Sequence, residues 1–287
     1  MRRVALTGAA AFLLLAGVAC GERKEPTGAL VPVYPVTVQG AGERPAILDS
    51  APRRIVPLGA GPRRILRALG LQKRTVTVND SLVGLPLVGQ IKRARPDLVV
   101  ASSDTDPLDL ARARAATHAE IYVAPENSID DVVGAITDIG LLTDAPVAAR
   151  RLTEAIERER SNVAGRVRGV PDVSVFVDTG DFGTIPTRSL LGDLVQEAHG
   201  RSVAGPSPEQ GSFPLRRLAE LNPQVYLATS DSRRTLASLR RNPATKRLRA
   251  VRSGRFELLS PTVTIPGPGV GKALEEVARF LHPDAFR

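Results

Sequence analysis

Hydrophobic residues in this chain fall into short runs bounded by charged residues, hydroxyls, Asn, Pro or Gly. Arg54-Ile-Val-Pro-Leu58, Thr75-Val-Thr-Val78, Glu120-Ile-Tyr-Val-Ala124, Val173-Ser-Val-Phe-Val177 and Gly254-Arg-Phe-Glu-Leu-Leu259 are read as strands, mostly with no polar face. Between them, apolar residues recur at helical spacing in Pro62–Leu69 (stopped by Gly70), Asp109–Thr117, Leu190–Ala198, Leu215–Leu221, Leu236–Leu239 and Gly271–Leu281. Ser128 caps a helix running to about Gly140. A longer helix begins near Thr143-Asp-Ala-Pro146, places Ala148, Leu152, Ala155, Ile156, Val163 and Val167 on one face, and ends near Gly169. Tyr34–Val38 and Pro45–Leu48, around Gly40-Ala-Gly42, form a small hairpin. Strands alternating with helices predict an α/β fold with mostly parallel sheets.

One pattern occurs twice. Pro96-Asp-Leu-Val-Val-Ala-Ser-Ser-Asp104 returns 127 positions later as Pro223-Gln-Val-Tyr-Leu-Ala-Thr-Ser-Asp231. Each copy is a buried strand that stops at hydroxyls and a carboxylate, so the chain is expected to hold two similar lobes. Open α/β sheets bind ligands beyond the carboxyl ends of their strands, so two facing lobes would enclose one cleft. Taken alone, either Ser-Asp end also fits simple turn chemistry.

The chain has 287 residues, 43% of them apolar, which suits two domains with sizeable cores. Residues 1–19 have the layout of a secretory signal: Met1-Arg-Arg, an apolar stretch from Val4 to Leu15, then Ala16-Gly-Val-Ala19 before Cys20. The stretch is short for a membrane span. Cys20 is the single cysteine, so no intrachain disulfide can form, and its place after a small residue resembles a bacterial lipobox. Lipidation of Cys20 is the expectation, with a secreted protein bearing a free thiol as the alternative. Residues 20–33 suit a flexible tether.

The formal net charge is +9, or +7 once Arg2 and Arg3 leave with the signal. Nucleic acid is nevertheless not expected as a partner: the basic residues are scattered, and no Trp and only three Tyr are present to stack on bases. Gly59-Ala-Gly61 between a strand and a helix, with Asp80 further on, imitates a dinucleotide fingerprint, but Arg64 stands where the third glycine belongs. Gly267-Pro-Gly-Val-Gly-Lys272 imitates a P-loop but is followed by Ala273 rather than Ser or Thr. His118, His199 and His282 are far apart in sequence, lack metal-ligand spacing and are expected at the surface. Asp178 and Asp181 form a paired-acid candidate that lacks a partner acid for glycosidase work. No catalytic residue, metal site or cofactor is expected, and the chain is read as a non-enzyme.

Over residues 34–287 the chain resembles the solute-binding lipoproteins of ABC importers for ferric siderophores, haem and vitamin B12, the class III periplasmic binding proteins. The resemblance rests on Pro52-Arg-Arg-Ile-Val-Pro-Leu with Ile65-Leu-Arg-Ala-Leu-Gly70, and on Leu87-Val-Gly89 before Arg95-Pro-Asp-Leu-Val-Val. It also rests on Leu218-Ala-Glu-Leu-Asn-Pro223, Val251-Arg-Ser-Gly-Arg-Phe256 and Pro266–Pro283. It implies two Rossmann-like lobes joined by one long α-helix, with the ligand cleft between them and little hinge motion. The lobes are placed at 34–142 and 170–287, with the joining helix at 143–169.

The resemblance further implies a lipid-anchored monomer on the extracytoplasmic face that captures a ferric siderophore or related metal chelate and delivers it to an ABC permease. Its ligand would be held by Gly59, Gly61, Ser102, Ser103, Asp104, Thr229, Ser230 and Asp231, with Phe182 packing beside Asp181. Lys92, Arg93, Arg188 and Arg233 would form a basic rim for an anionic chelate. Where many relatives carry a permease-docking Glu seven residues before each repeated strand, this chain has Gly89 and Arg216. Docking through Glu209 or Glu220 is one consequence. The other is a non-transport envelope scaffold or sensor that keeps the fold.

Overall fold

The computed structural model describes residues 34–205 and 212–287. Cys20, the signal and tether stretches, and Glu209 lie outside the described residues.

The first hairpin pairs β1 (Val36–Val38) with β2 (Ala46–Leu48) antiparallel. A parallel sheet follows in the order β3 (Ile55–Leu58), β4 (Leu98–Ser102), β5 (Glu120–Ala124). Its strands are buried on both faces because helices cover them: α1 (Ala60–Ala68), α2 (Leu85–Ala94), α3 (Pro107–Thr117) and α4 (Ile129–Leu142). A second sheet runs in the order β7 (Gly200–Ser202), β6 (Val173–Asp178), β8 (Val225–Ala228), β9 (Phe256–Leu258), again parallel throughout. Helices α6 (Leu190–Glu197), α7 (Leu215–Leu221), α8 (Leu236–Arg241), α9 (Arg249–Ser253) and α10 (Val270–Leu281) accompany it. The order β6-β8-β9 repeats β3-β4-β5, and the duplicated sequence supplies the middle strand of each trio.

Between the sheets runs α5 (Pro146–Val167), which buries Ala149, Ile156, Val163 and Val167. It packs against α4 on one side and α10 on the other. Arg160 of α5 donates to Glu197 of α6 through Nε (2.8 Å) and Nη2 (2.5 Å), and to Asp130 of α4 through Nη1 (2.7 Å). Asp193 of α6 accepts the Ile129 amide at the start of α4 (2.8 Å). Fixed polar contacts therefore link α4, from the first sheet's helices, to α6, from the second's.

Three expectations need correction. Thr75–Val78 is not a strand: one bond, from Val76 N–H to the Ile55 carbonyl (2.8 Å), ties this segment to the sheet edge. Helix α2 is missing from the helices predicted above; Gly84 caps it at φ +65° and Pro86 sits in its first turn, where no amide partner is needed. His282 is buried, its Nε2 lying 3.0 Å from the Ala198 carbonyl and its ring edge-on to His199. Burial holds its pKa below the usual imidazole range.

Candidate functional site

The carboxyl ends of strands from both sheets open onto one cleft of about 630 Å3. From the first sheet come Leu58, Gly59 and Gly61 after β3, Ser102 to Asp106 after β4, and Glu126 and Asn127 after β5. From the second come Thr179 after β6 and Thr229 and Asp231 after β8. Ile185, Leu190 and Leu191 at the start of α6 and Thr264 to Pro266 before α10 complete that wall. This is where parallel α/β sheets place ligands, since their loops converge there and their helix N-termini point inward.

Seven of the residues expected to hold a ligand line the cleft: Gly59, Gly61, Ser102, Ser103, Asp104, Thr229 and Asp231. The other six are not among its lining residues. Lys92 is exposed in the last turn of α2, five positions beyond the lining residue Leu87 and so about 140° around the helix from it. Asp181 and Phe182 occupy a left-handed turn (φ +46° and +59°) that carries Asp181 into solvent. Phe182 is covered by the Arg234 guanidinium, 4.0 Å from the ring centre. Arg188, Ser230 and Arg233 are exposed and close in sequence to lining residues but are not part of the wall. Arg93 is exposed on α2, so none of the four basic residues proposed for the rim contributes to the wall.

The paired-acid candidate resolves into two unlike residues. Asp178 is completely buried and accepts from the Tyr226 hydroxyl (2.5 Å), Arg234 Nε (3.1 Å) and the Gly180 amide (2.8 Å). Burial and the Asp178 charge together push the Tyr226 phenol well above its usual range. These bonds fix the turn between β6 and α6 rather than preparing an acid for catalysis.

Glu126 was absent from the sequence expectations and is the most unusual group in the cleft. It is 7% exposed and sits two residues past the end of β5. Its Oε2 accepts from the Ser102 hydroxyl, from the Ser103 amide (3.3 Å) and, at the outer limit, from the Ser103 hydroxyl (3.5 Å). Its Oε1 is buried without a hydrogen-bond partner. Burial raises the Glu126 pKa, and the bonds from Ser102 and Ser103 only partly offset this. The carboxylate packs against Gly61 so closely that a Cβ there would overlap Oε1. Gly61 is thus needed for the approach of an acid, not for the approach of a nucleotide.

The neighbouring Asp80 accepts the Gly59 amide (2.7 Å) and pairs with Arg63. Burial raises its pKa, but the Gly59 and Arg63 bonds and the Arg63 charge outweigh that and hold it below the usual carboxylate value. The start of α1, the seat of phosphate in a dinucleotide fold, is therefore filled by the protein's own carboxylates. Among the described residues no three His, Cys, Asp or Glu groups converge to hold a metal ion.

Comparison with known proteins agrees with this geometry. A Bacillus subtilis protein described as the uncharacterized ABC transporter substrate-binding lipoprotein YvrC is 24% identical, the match covering 96% of this chain and 97% of that protein. Among solved structures, Helicobacter pylori CeuE in a nickel–histidine complex superposes with a TM-score of 0.74 at 16% identity, over 88% of this chain and 89% of that one. Vibrio cholerae BtuF, a vitamin B12 binding protein, gives 0.70 at 16% identity over 82% and 98%. A Saccharomonospora viridis protein of an Fe3+-hydroxamate transport system gives 0.68 at 19% identity over 86% and 99%. These likenesses establish the fold as two α/β lobes about a ligand cleft. The model of the family described as periplasmic binding protein matches residues 81–262, a span that contains β4 to β9 and most of the cleft wall, and the chain belongs to that family.

Proposed function

We propose that this protein is the extracytoplasmic, lipid-anchored substrate-binding component of an ABC importer, capturing a metal chelate and passing it to a membrane permease. Residues 34–142 and 170–287 would act as the two lobes and 143–169 as the connecting helix, with Cys20 carrying the lipid. The observation behind the reading is the cleft itself, built from strand ends of two topologically matched sheets and sized for a small molecule rather than a polymer. The polar contacts of Arg160 and Asp193 favour a receptor whose lobes stay close to one arrangement. Solved neighbours named for vitamin B12, nickel–histidine and Fe3+-hydroxamate transport support a chelate as ligand.

Binding is tested by titrating the full chain in detergent with ferric hydroxamates, nickel–histidine and cyanocobalamin by calorimetry. Saturable binding of a chelate with one site per chain is the expected result. No heat and no thermal stabilisation with any of them would overturn the reading. Lipid anchoring is tested separately by the mass of the mature N-terminus.

A second reading, an envelope scaffold or sensor, draws on the presence of Gly89 and Arg216 where docking acids are expected. Arg216 is 94% exposed on α7 and its Nε lies 3.3 Å from Glu220, which Arg217 also contacts at 3.5 Å. The acid at this corner is thereby shared between two arginines. Co-purification of the full chain with a permease encoded beside it separates the two: a complex supports transport, and a chelate-binding chain with no such partner supports sensing.

A further inference from the structure

The charge of the cleft is opposite to that of the protein. The chain carries 39 Lys and Arg against 30 Asp and Glu, yet among the described residues no Lys, Arg or His lines the cleft, while six acids do. Three of the six are committed to the fold. Asp80 is held by Gly59 and Arg63; Asp106 caps α3 by accepting the Leu108 amide (2.8 Å); Asp109 accepts the Gly84 amide (2.6 Å) and pairs with Arg112 (3.4 Å).

The remaining three have capacity to spare. Asp104 and Asp231 are the equivalent ends of the duplicated strand, one from each sheet, and both are exposed with no side-chain partner among the described residues. Glu126 is more than nine-tenths buried in the cleft wall and leaves Oε1 unpaired. An anion entering here would face these carboxylates with no cation to meet it, and the helix N-terminus that would otherwise receive it is already occupied by Asp80 and Glu126. An enclosed cleft lined by one sign of charge concentrates ligands of the other sign.

We propose that the cleft selects a ligand bearing positive charge, such as a metal chelate with a pendant protonated amine, gripped between Asp104 and Asp231. This rests on the binding-protein reading and specifies its ligand class. Glu126 backs the first-sheet wall with a further carboxyl beneath Ser102 and Ser103, and Ser103 and Thr229 supply neutral hydrogen bonds. The acids do not converge on one point, so the selected species is an extended cation rather than a bare metal ion.

The test compares two ferric trihydroxamates with the same coordination shell: ferrioxamine B, whose pendant ammonium makes it cationic, and its N-acetyl derivative, which is neutral. A ferric tricatecholate, ferric enterobactin, serves as the anion. Calorimetry on the full chain in detergent is expected to show ferrioxamine B binding about tenfold tighter than its acetylated form, with the tricatecholate weakest. The ratio should shrink as salt is raised, because the selecting carboxylates are exposed. D104N and D231N should each move it toward one. Equal or tighter binding of the neutral or anionic chelate would overturn the charge selection and leave the binding-protein reading standing. Absence of binding by all three overturns the charge selection, and absence of binding by nickel–histidine and cyanocobalamin as well, to a chain with native circular dichroism, would overturn both.

Discussion

Arg234 and Asp178 form the one ion pair among the described residues whose carboxylate is wholly buried, with Nε 3.1 Å from Oδ2. Its neighbour Arg233, with the same chemistry one position earlier, is exposed in a left-handed turn at φ +52°. The short 3-10 turn after β8 decides which arginine points inward. Asp178 then joins β6 to β8 through Tyr226, and Arg234 closes the arrangement over Phe182.

Removing one member of such a pair leaves an uncompensated charge out of water. R234M is expected to cost about 3 kcal/mol in urea unfolding, the lower end of the range for breaking buried pairs, since Arg234 keeps some solvent contact. In a D178N background the same change should cost at least about 1 kcal/mol less, because no charge is stranded. Equal costs in the two backgrounds would show that Arg234 acts only by covering Phe182.

Glu126 makes stability depend on pH in an identifiable direction. Its pKa in the folded chain lies above the ordinary value of 4.5, so the fold favours the protonated form. The stability this confers is fully present below about pH 4.5 and is lost as pH rises through the elevated value. E126Q mimics the protonated carboxyl. Relative to the unmodified chain its Tm should be equal near about pH 4 and higher by roughly 2 °C or more at neutral pH. A Tm difference that stays constant across this range would mean that Glu126 is not the group being desolvated.

Gly61 and Glu126 should behave as one unit. G61A pushes Oε1 aside and strains the Ser102 contact, at a cost of about 1–2 kcal/mol. In an E126A background the space is free, and G61A should be neutral or slightly stabilising, since alanine is the better helix former. Denaturant unfolding of the four chains completes the cycle. A G61A penalty that persists in E126A would assign the crowding to Pro266, 3.3 Å from the same Cβ position.

What the sequence revealed of the fold came from features that act locally. Runs such as Leu98–Ser102 and Val173–Asp178 are apolar on both faces and need helices on both sides, and Ser128 and Pro146 mark helix starts by their own chemistry. The duplicated ends Asp104 and Asp231 reached the cleft for the same reason, as continuations of equivalent strands. Features set by tertiary contact were not legible. Glu126 follows Pro125 in what reads as an ordinary loop, and its burial depends on Gly61, 65 positions away. A basic rim of Lys92, Arg93, Arg188 and Arg233 is the expectation for an anionic chelate, yet the arginines serve helix faces and ion pairs such as Arg160–Glu197 while the strand ends carry the acids.

Gly271 supplies the contrast to Gly61, and shows what became of the P-loop imitation. It lies in the first turn of α10, where a Cβ would come within 2.7 Å of Glu159 Cβ on α5, close enough that the obstruction is the helix and not only the end of a flexible side chain. G271A is therefore expected to force α10 away from α5 and to cost about 1–3 kcal/mol. Unlike the Gly61 pair, truncating the neighbour should not repair it: E159A keeps its Cβ, so G271A in that background should retain most of its penalty. Urea unfolding of G271A, E159A and the double variant measures this directly. Full rescue by E159A would place the contact at the carboxylate alone and remove close packing of α5 on α10 as the reason for glycine at this position.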